Sequence, residues 1–255
     1  VVVNIFSDPS LQASADTSVC LGGSVQLQAT GGLQYFWSPA AGLSATNIAN
    51  PIASPSVTTD YIVAGLTSSG CVSLDTVRVT VNPQPQANAG ADQVACNGNG
   101  VQLQASGGIS YSWSPATGLS ATNIANPMAT PSQTTNYIVT VTNASGCIAR
   151  DTVRVFVPVV LAGSNRNICR GGNVQLQAMM IGAPSGNVTY SWSPGTGLSA
   201  TNIANPVASP TATTVYTVTA TVGGCSVSNT VAVIVNPTPL IDAGLDVSIA
   251  PGANI

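Results

Sequence analysis

The decapeptide Gly42-Leu43-Ser44-Ala45-Thr46-Asn47-Ile48-Ala49-Asn50-Pro51 recurs without a change at 118–127 and again at 197–206. Around it the same landmarks recur in the same order. Val-Gln-Leu-Gln-Ala stands at 25–29, 101–105 and 174–178, and Trp-Ser-Pro begins at Trp37, Trp113 and Trp192. Thr-Thr-x-Tyr begins at Thr58, Thr134 and Thr213. The chain is therefore one unit copied three times, and the fold of the unit is the fold of the protein. The third copy is longer, with about six extra residues at Met179–Val188.

Within each copy the hydrophobic period is two, the signature of strands. Val25, Leu27 and Ala29 share a face, as do Tyr35 and Trp37, Tyr61 and Val63, and Val77, Val79 and Val81. Clusters of Pro, Gly, Asn and Ser separate these runs. About seven short strands per copy predict an all-β chain, a tandem array of antiparallel immunoglobulin-like sandwiches. The tryptophans are expected to be core anchors; a sugar-stacking platform is the competing reading. The repeated decapeptide reads as a crossover that satisfies its own backbone, as a trace of recent duplication, or as a repeated binding face.

Boundaries follow from the alignment of the copies. Residues 1–7 match the last strand of a preceding repeat, 8–82, 83–157 and 158–236 are three repeats, and 237–255 resembles the start of another. The short Pro-containing joints at 82–86, 157–159 and 236–239 predict an extended rod, on the order of 100 Å for three repeats.

Composition narrows the chemistry. Charged residues make up 5% of the 255, net charge is −3, and His is absent. All basic residues are Arg and all acidic residues Asp. No basic surface exists for nucleic acid, and no window approaches the ~20 apolar residues of a membrane helix. Without His or Lys, Ser-His and Cys-His nucleophiles, Schiff bases and phosphate-loop lysines are excluded. No enzyme and no cofactor is expected in these residues.

Each repeat holds two cysteines: Cys20 and Cys71, Cys96 and Cys147, Cys169 and Cys225. Recurrence of the same two positions predicts one disulfide inside each repeat, although the first cysteine precedes the second strand while the other sits at a late hairpin. Disulfides imply an oxidising, extracellular location.

The series Ala-Gly-x-Asp-x-x-x-Cys, Val-Gln-Leu-Gln-Ala, Tyr-x-Trp-Ser-Pro, Asn-Ile-Ala-Asn-Pro, Thr-Thr-x-Tyr, Gly-Cys, Asp-Thr-Val resembles the immunoglobulin-like, polycystic-kidney-disease-like repeats of giant Bacteroidota surface proteins. Those include gliding-motility-associated adhesins and other substrates of type IX secretion. The resemblance covers essentially the whole chain and implies export to the cell surface, without naming a ligand. The third repeat departs from the pattern, with Asn165 for the Asp of Ala-Gly-x-Asp and Asn229 where the others have Asp75 and Asp151.

Three kinds of site are expected. Asp16, Asp92 and Asp246 lie near joints, as calcium ligands do in cadherin-like arrays, but calcium needs six to eight oxygens and capping of backbone amides explains them better. Thr76 and Thr152, in Asp-Thr-Val, resemble O-glycosylation positions of the same bacteria. Phe36, Phe156, Met179, Met180, Ile181 and Ile234 form a candidate apolar stripe for lateral contact, either with neighbouring repeats or in self-association. The functional expectation is a structural segment of a stalk, filament or adhesin fibre. The alternatives are a glycan- or surface-binding adhesin module and a spacer beside a secreted hydrolase.

Overall fold

The computed structural model describes residues 11–66, 71–239 and 244. The expected stubs at 1–7 and 237–255 lie outside these apart from 237–239 and 244. Among the described residues every regular element is a strand, so no helix is long and apolar enough to cross a membrane.

The first repeat contains β1 (Gln12–Ala13), β2 (Thr17–Cys20), β3 (Val25–Gln26), β4 (Ala29–Thr30), β5 (Gln34–Ser38), β6 (Ile52–Ala53), β7 (Thr59–Leu66) and β8 (Val72–Asn82). Its main sheet runs β2–β8–β7–β5, while β1 pairs with β4 and β3 with β6. The order β5–β7–β8 is the C, F, G order of immunoglobulin sheets. The opening strand is split between layers: β1 runs antiparallel to β4, then β2 crosses over and lies parallel to β8. This parallel pair departs from a wholly antiparallel sandwich, and it recurs in every copy.

The second repeat contains β9 (Gln93–Val94), β10 (Val101–Gln102), β11 (Ser110–Ser114), β12 (Met128–Ala129), β13 (Thr135–Thr142) and β14 (Ile148–Phe156). The third contains β15 (Val159–Leu161), β16 (Arg166–Cys169), β17 (Val174–Gln175), β18 (Met179–Ile181), β19 (Thr189–Ser193), β20 (Val207–Ala208), β21 (Thr214–Val222) and β22 (Cys225–Asn236). Their main sheets keep the same order, β9 and β16 taking the place of β2.

The chain divides into two compact units. One comprises Val1–Ala91, Gln102–Ala129 and Asn136–Arg154; the other comprises Asp92–Val101, Thr130–Thr135 and Val155–Ile255. In the first unit, Leu27, Trp37, Tyr61, Val63, Val77 and Val79 form the centre of the first repeat's core. In the second unit, Leu176, Trp192, Tyr216, Val218, Val231 and Val233 form that of the third. The alternation read from the sequence places these residues inward.

The repeated decapeptide does structural work residue by residue. Trp37 donates its indole N–H to the Ile48 carbonyl at 2.9 Å and its amide to Thr46 at 2.7 Å. Trp113 and Trp192 bond Ile124 and Ile203 in the same way, at 3.0 and 2.9 Å. All three tryptophans are buried, which leaves no ring face for sugar stacking. Ser44 Oγ accepts the Ile52 amide, and Leu27 and Ala29 donate to Pro51 and Ala49. Gly42 has φ +79°, and a Cβ there would meet the Tyr61 hydroxyl at 2.9 Å. An irregular segment of this kind is stable only because its backbone groups find partners.

Tyr61, Tyr137 and Tyr216 are fully buried, and their hydroxyls donate to the carbonyls of Ala41, Thr117 and Thr196 at 2.8 to 2.9 Å. Burial raises all three phenols above 10.0, because the phenolate loses its water; for Tyr61 and Tyr216 the hydrogen bonds with Thr59 and Thr214 oppose this less strongly. The fold therefore favours the neutral phenol. That stabilisation is present below pH 10 and is lost as pH rises through the raised folded values. Alkaline titration of phenolate absorbance should show a late component that coincides with unfolding and shrinks in Tyr61→Phe, Tyr137→Phe and Tyr216→Phe chains. Simple titration of every tyrosine before unfolding would contradict the assignment.

Candidate functional site: the joints between repeats

The cysteines do not pair inside repeats, and the expectation of one bridge per repeat is corrected. Cys20 bonds Cys147 of the second repeat, with 5.6 Å between Cα atoms; Cys96 of the second bonds Cys225 of the third, at 5.5 Å. The reason is geometric. Cys20 ends β2 opposite Asn82, the last residue of β8, whereas Cys71 immediately precedes Val72, the first. Eleven residues at about 3.3 Å each put the two cysteines of one repeat roughly 36 Å apart along the strand. A disulfide tolerates no more than about 7 Å between Cα atoms. Each repeat thus offers one cysteine at each pole.

Local turns aim the sulfurs. After Cys20 the chain turns back, with the Gly23 amide donating to the Cys20 carbonyl at 2.7 Å; Asn99 on Cys96 and Gly172 on Cys169 repeat the bond at 2.9 and 2.8 Å. The partner cysteines sit on the hairpins. Asn143 Oδ1 accepts the amides of Ser145 and Cys147, while Gly223 and Gly224, at φ +55° and +79°, carry the tight turn before Cys225. Positive φ at both turn residues is the conformation a two-residue hairpin requires. Cys147 and Cys225 are buried, whereas Cys71 and Cys169 are exposed.

Polar contacts accompany each bridge. In the first unit Asn143 Nδ2 donates to the Pro83 carbonyl at 2.9 Å. In the second, Asn97 Nδ2 donates to Ser226 at 3.2 Å, and Thr134 Oγ1 donates to the Gly182 carbonyl at 2.9 Å while accepting the Val157 amide at 3.0 Å. Gly182 belongs to the third repeat's insertion. At its φ of +66° a Cβ would overlap the Val157 carbonyl oxygen, so the extra residues reach the joint only through a glycine.

The lateral stripe is not assembled as expected. Phe156 is buried, at 8% exposure, not outward. Strand alternation fails at the end of β14, where Val94 of the parallel β9 lies opposite and the chain enters the joint through buried Pro158 and Val160. Met180 packs against the third core, and Ile234 is half-buried beside Asn167. Met179 and Ile181 are exposed, paired across β15 with exposed Leu161 and Val159. In the first unit Phe36 is 55% exposed and lines a groove of about 550 Å³ with Leu33, Tyr35 and Ile48.

Asp16 and Asn165, at equivalent positions near the joints, each hold a backbone amide. Asp16 Oδ1 accepts the Arg78 amide at 2.9 Å, and Asn165 Oδ1 accepts the Ala232 amide at the same distance, so the Asp-to-Asn change preserves the bond. Asp92 occupies the equivalent position in the second unit, and Asp246 lies outside the described residues. Among the described residues no three His, Cys, Asp or Glu side chains gather as a metal would require. The exposed Asp60–Arg78 pair, at 3.6 Å, contributes little. Thr76 and Thr152 are exposed, on the outer face.

A second set of polar residues was missed in the sequence as structural. Asp75 accepts the Ala13 amide at 2.7 Å and Asp151 the Ala89 amide at 2.8 Å. In the third repeat Asn229 instead donates, from Nδ2 to the Val160 carbonyl at 3.0 Å, while its Oδ1 accepts the Thr230 amide. The polarity of the site is inverted together with the residue.

No protein-family model matches the chain, and no curated protein matches it in sequence. Among solved structures it is similar to titin domains I67–I69 in an E-to-A variant, with 13% identity over 89% of this chain and 97% of that one and a TM-score of 0.32. It is also similar to the N-terminal eight immunoglobulin domains of Down Syndrome Cell Adhesion Molecule, with 14% identity over 89% and 36% and a TM-score of 0.38. The insect immune protein hemolin gives 14% identity over 89% and 76%, with a TM-score of 0.33. These likenesses are distant, and the immunoglobulin-like class rests on the strand order itself.

Exchanging the residues between repeats tests the inverted site. Asp75→Asn and Asn229→Asp should each destabilise their own repeat by about 1–3 kcal/mol, because a donor then faces a donor or an acceptor an acceptor. Hydrogen exchange resolved by repeat reads the loss; two neutral swaps would contradict the assignment.

Proposed function

We propose that this chain is a segment of an exported, repeat-built surface protein, a stalk, filament or adhesin fibre, whose task is to carry tension. The observation that supports this most directly is the staggered pairing of cysteines, in which each disulfide ties one repeat to the next. The two bridges close overlapping loops with sequence separations of 127 and 129 residues. In the chain-entropy model a loop of that size restricts the unfolded chain by about 5 kcal/mol. Disulfide bonding supports an oxidising location outside the cell. The resemblance to Bacteroidota surface repeats supports a bacterial envelope as the setting. The side chains of Asp16, Asp75, Asp151 and Asn165 are engaged in holding backbone amides, which supports a structural role.

Overlapping loops also limit extension. Under load, the shortest covalent path runs through Cys20 to Cys147, back to Cys96 and across to Cys225, about 100 residues in place of 255. At no more than ~3.6 Å per residue, the fully unfolded oxidised chain should stop near roughly 350 Å, and the reduced chain near roughly 900 Å. Single-molecule stretching from the two termini measures both. Equal lengths with and without reductant would overturn the mechanical reading.

A further inference from the structure

The turn after the first cysteine is built differently in the second repeat. There Cys96-Asn97-Gly98-Asn99-Gly100 places two Asn-Gly steps in a row, and no other Asn-Gly step occurs in the chain. The first and third repeats have Leu21-Gly22-Gly23 and Arg170-Gly171-Gly172 in the same place. All three turns close with the same amide-to-cysteine-carbonyl bond. Only in the second is the first central residue left-handed: Asn97 has φ +53° and Gly98 φ +77°, the pair that a type I′ turn requires. Asparagine tolerates this conformation better than most residues with a side chain. Asn97 is the one non-glycine residue at positive φ among the described residues. In this conformation Asn97 Nδ2 donates to the Ser226 carbonyl at 3.2 Å, next to the Cys96–Cys225 bridge and within the second compact unit.

Asparagine followed by glycine is the dipeptide most prone to deamidation, because glycine has no side chain to keep its amide nitrogen from the preceding carboxamide. Asn97, Gly98, Asn99 and Gly100 are all exposed, and a Cβ at Gly98 would meet nothing within 4 Å, so water reaches the turn. The two asparagines differ in one respect. The Asn97 carboxamide is held by Ser226. That of Asn99 forms no hydrogen bond among the described residues; only its backbone amide is engaged, with the Cys96 carbonyl at 2.9 Å. We infer that this turn is a self-modifying site. Asn99 converts to aspartate and isoaspartate in the folded protein, whereas Asn97 is protected by its bond to Ser226 and converts when that contact opens. The inference goes beyond the mechanical reading above and does not rest on it.

The chemistry needs only water. At Asn97 the Gly98 amide nitrogen, its proton given up to hydroxide, attacks Cγ. The new N–Cγ bond forms, the Cγ–Nδ2 bond breaks, and Nδ2 leaves as ammonia with a proton returned from water. A second water opens the cyclic imide at either carbonyl, to aspartate or isoaspartate. The net change is one water consumed and one ammonia released, without oxidant or reductant. Asn99 and Gly100 react in the same way. Ring closure at Asn97 requires Cγ to swing away from Ser226 and over the Gly98 nitrogen, a movement that the hydrogen bond opposes. After conversion the donor is gone, and a carboxylate oxygen faces the Ser226 carbonyl, acceptor against acceptor. Conversion at Asn97 thus removes a contact beside the bridge irreversibly, whereas conversion at Asn99 adds a negative charge and breaks no side-chain bond.

The test holds the full oxidised chain in mildly alkaline buffer, folded and, in parallel, unfolded in guanidinium chloride. Mass-spectrometric sequencing of the arginine-cleavage peptide that contains both asparagines follows each site over time. In the unfolded chain Asn97 and Asn99 should convert at similar rates. In the folded chain Asn99 should convert while Asn97 lags it by roughly tenfold, the factor that one ordinary hydrogen bond confers. A second measurement reads the consequence: Asn97→Asp should speed hydrogen exchange in the hairpin around Cys225 and Ser226, and Asn99→Asp should not. Both variants should keep the Cys96–Cys225 bridge, which shows that they fold. Equal rates at the two sites in the folded chain, Asn97 ahead of Asn99, no conversion at Asn99, or unchanged exchange in Asn97→Asp would overturn the inference. None of these outcomes touches the mechanical reading, which stands or falls on the bridges themselves.

Discussion

The last strand of each repeat is eleven or twelve residues long in the first and third copies, Val72–Asn82 and Cys225–Asn236, and its length governs the rest. Because the opening strand lies parallel to the end of that strand, the first cysteine is held at one pole. Because the preceding hairpin delivers the other cysteine to the start of the strand, the second is held at the opposite pole. Neither can reach the other, and in the second repeat each is bonded to a neighbouring repeat. A covalent ladder between repeats follows from strand length and register, with no special residue beyond cysteine at the two ends.

The rest of the repeat is built with very little charge. Among the described residues the polar atoms that go into the core are those of tyrosine and tryptophan, and no buried side-chain nitrogen or oxygen lacks a partner. Polar side chains work instead by binding backbone: the tryptophan indole on the crossover, the tyrosine hydroxyl on the loop before it, serine on the returning strand, and Asp16 or Asn165 just before the strand that pairs in parallel. Each is worth only about 1 kcal/mol net, but a buried amide left without its partner costs more. The repeated decapeptide is fixed in this way at most of its positions: Thr46 and Ile48 accept from Trp37, Ala49 and Pro51 accept from Ala29 and Leu27, and Ser44 bonds Ile52.

Much of this was legible in the sequence. Period-two alternation placed Trp37, Tyr61, Val77 and Val79 inward, and turn residues separated the strands as found. The capping role of Asp16 was readable from its place in a turn. What alternation reports, however, is the face of a strand, and the cysteine pairing depends on the pole. Recurrence at two positions per repeat suggested closure within the repeat, yet the run from Cys71 to Asn82 was already too long to bridge. Phe156 failed for a related reason: it has outward parity, but it stands where the strand ends and the joint begins, and it is buried there. Met180 and Ile234 were grouped with exposed residues because the register of β15–β18 and β16–β22 is not encoded in either strand alone. The opposite polarity of Asn229 and Asp75 was visible as a substitution but not as a change of partner.

Cleavage after arginine distinguishes the two ways of joining the cysteines without ambiguity. The five arginines place Cys20 and Cys71 in peptide 1–78, Cys96 and Cys147 in 79–150, Cys169 in 167–170 and Cys225 in 171–255. Digestion of unreduced, alkylated monomer followed by mass spectrometry should yield peptides 1–78, 79–150 and 171–255 as one linked species, with 167–170 separate from it. Peptides 1–78 and 79–150 each closed only on themselves, with 167–170 joined to 171–255, would contradict the account.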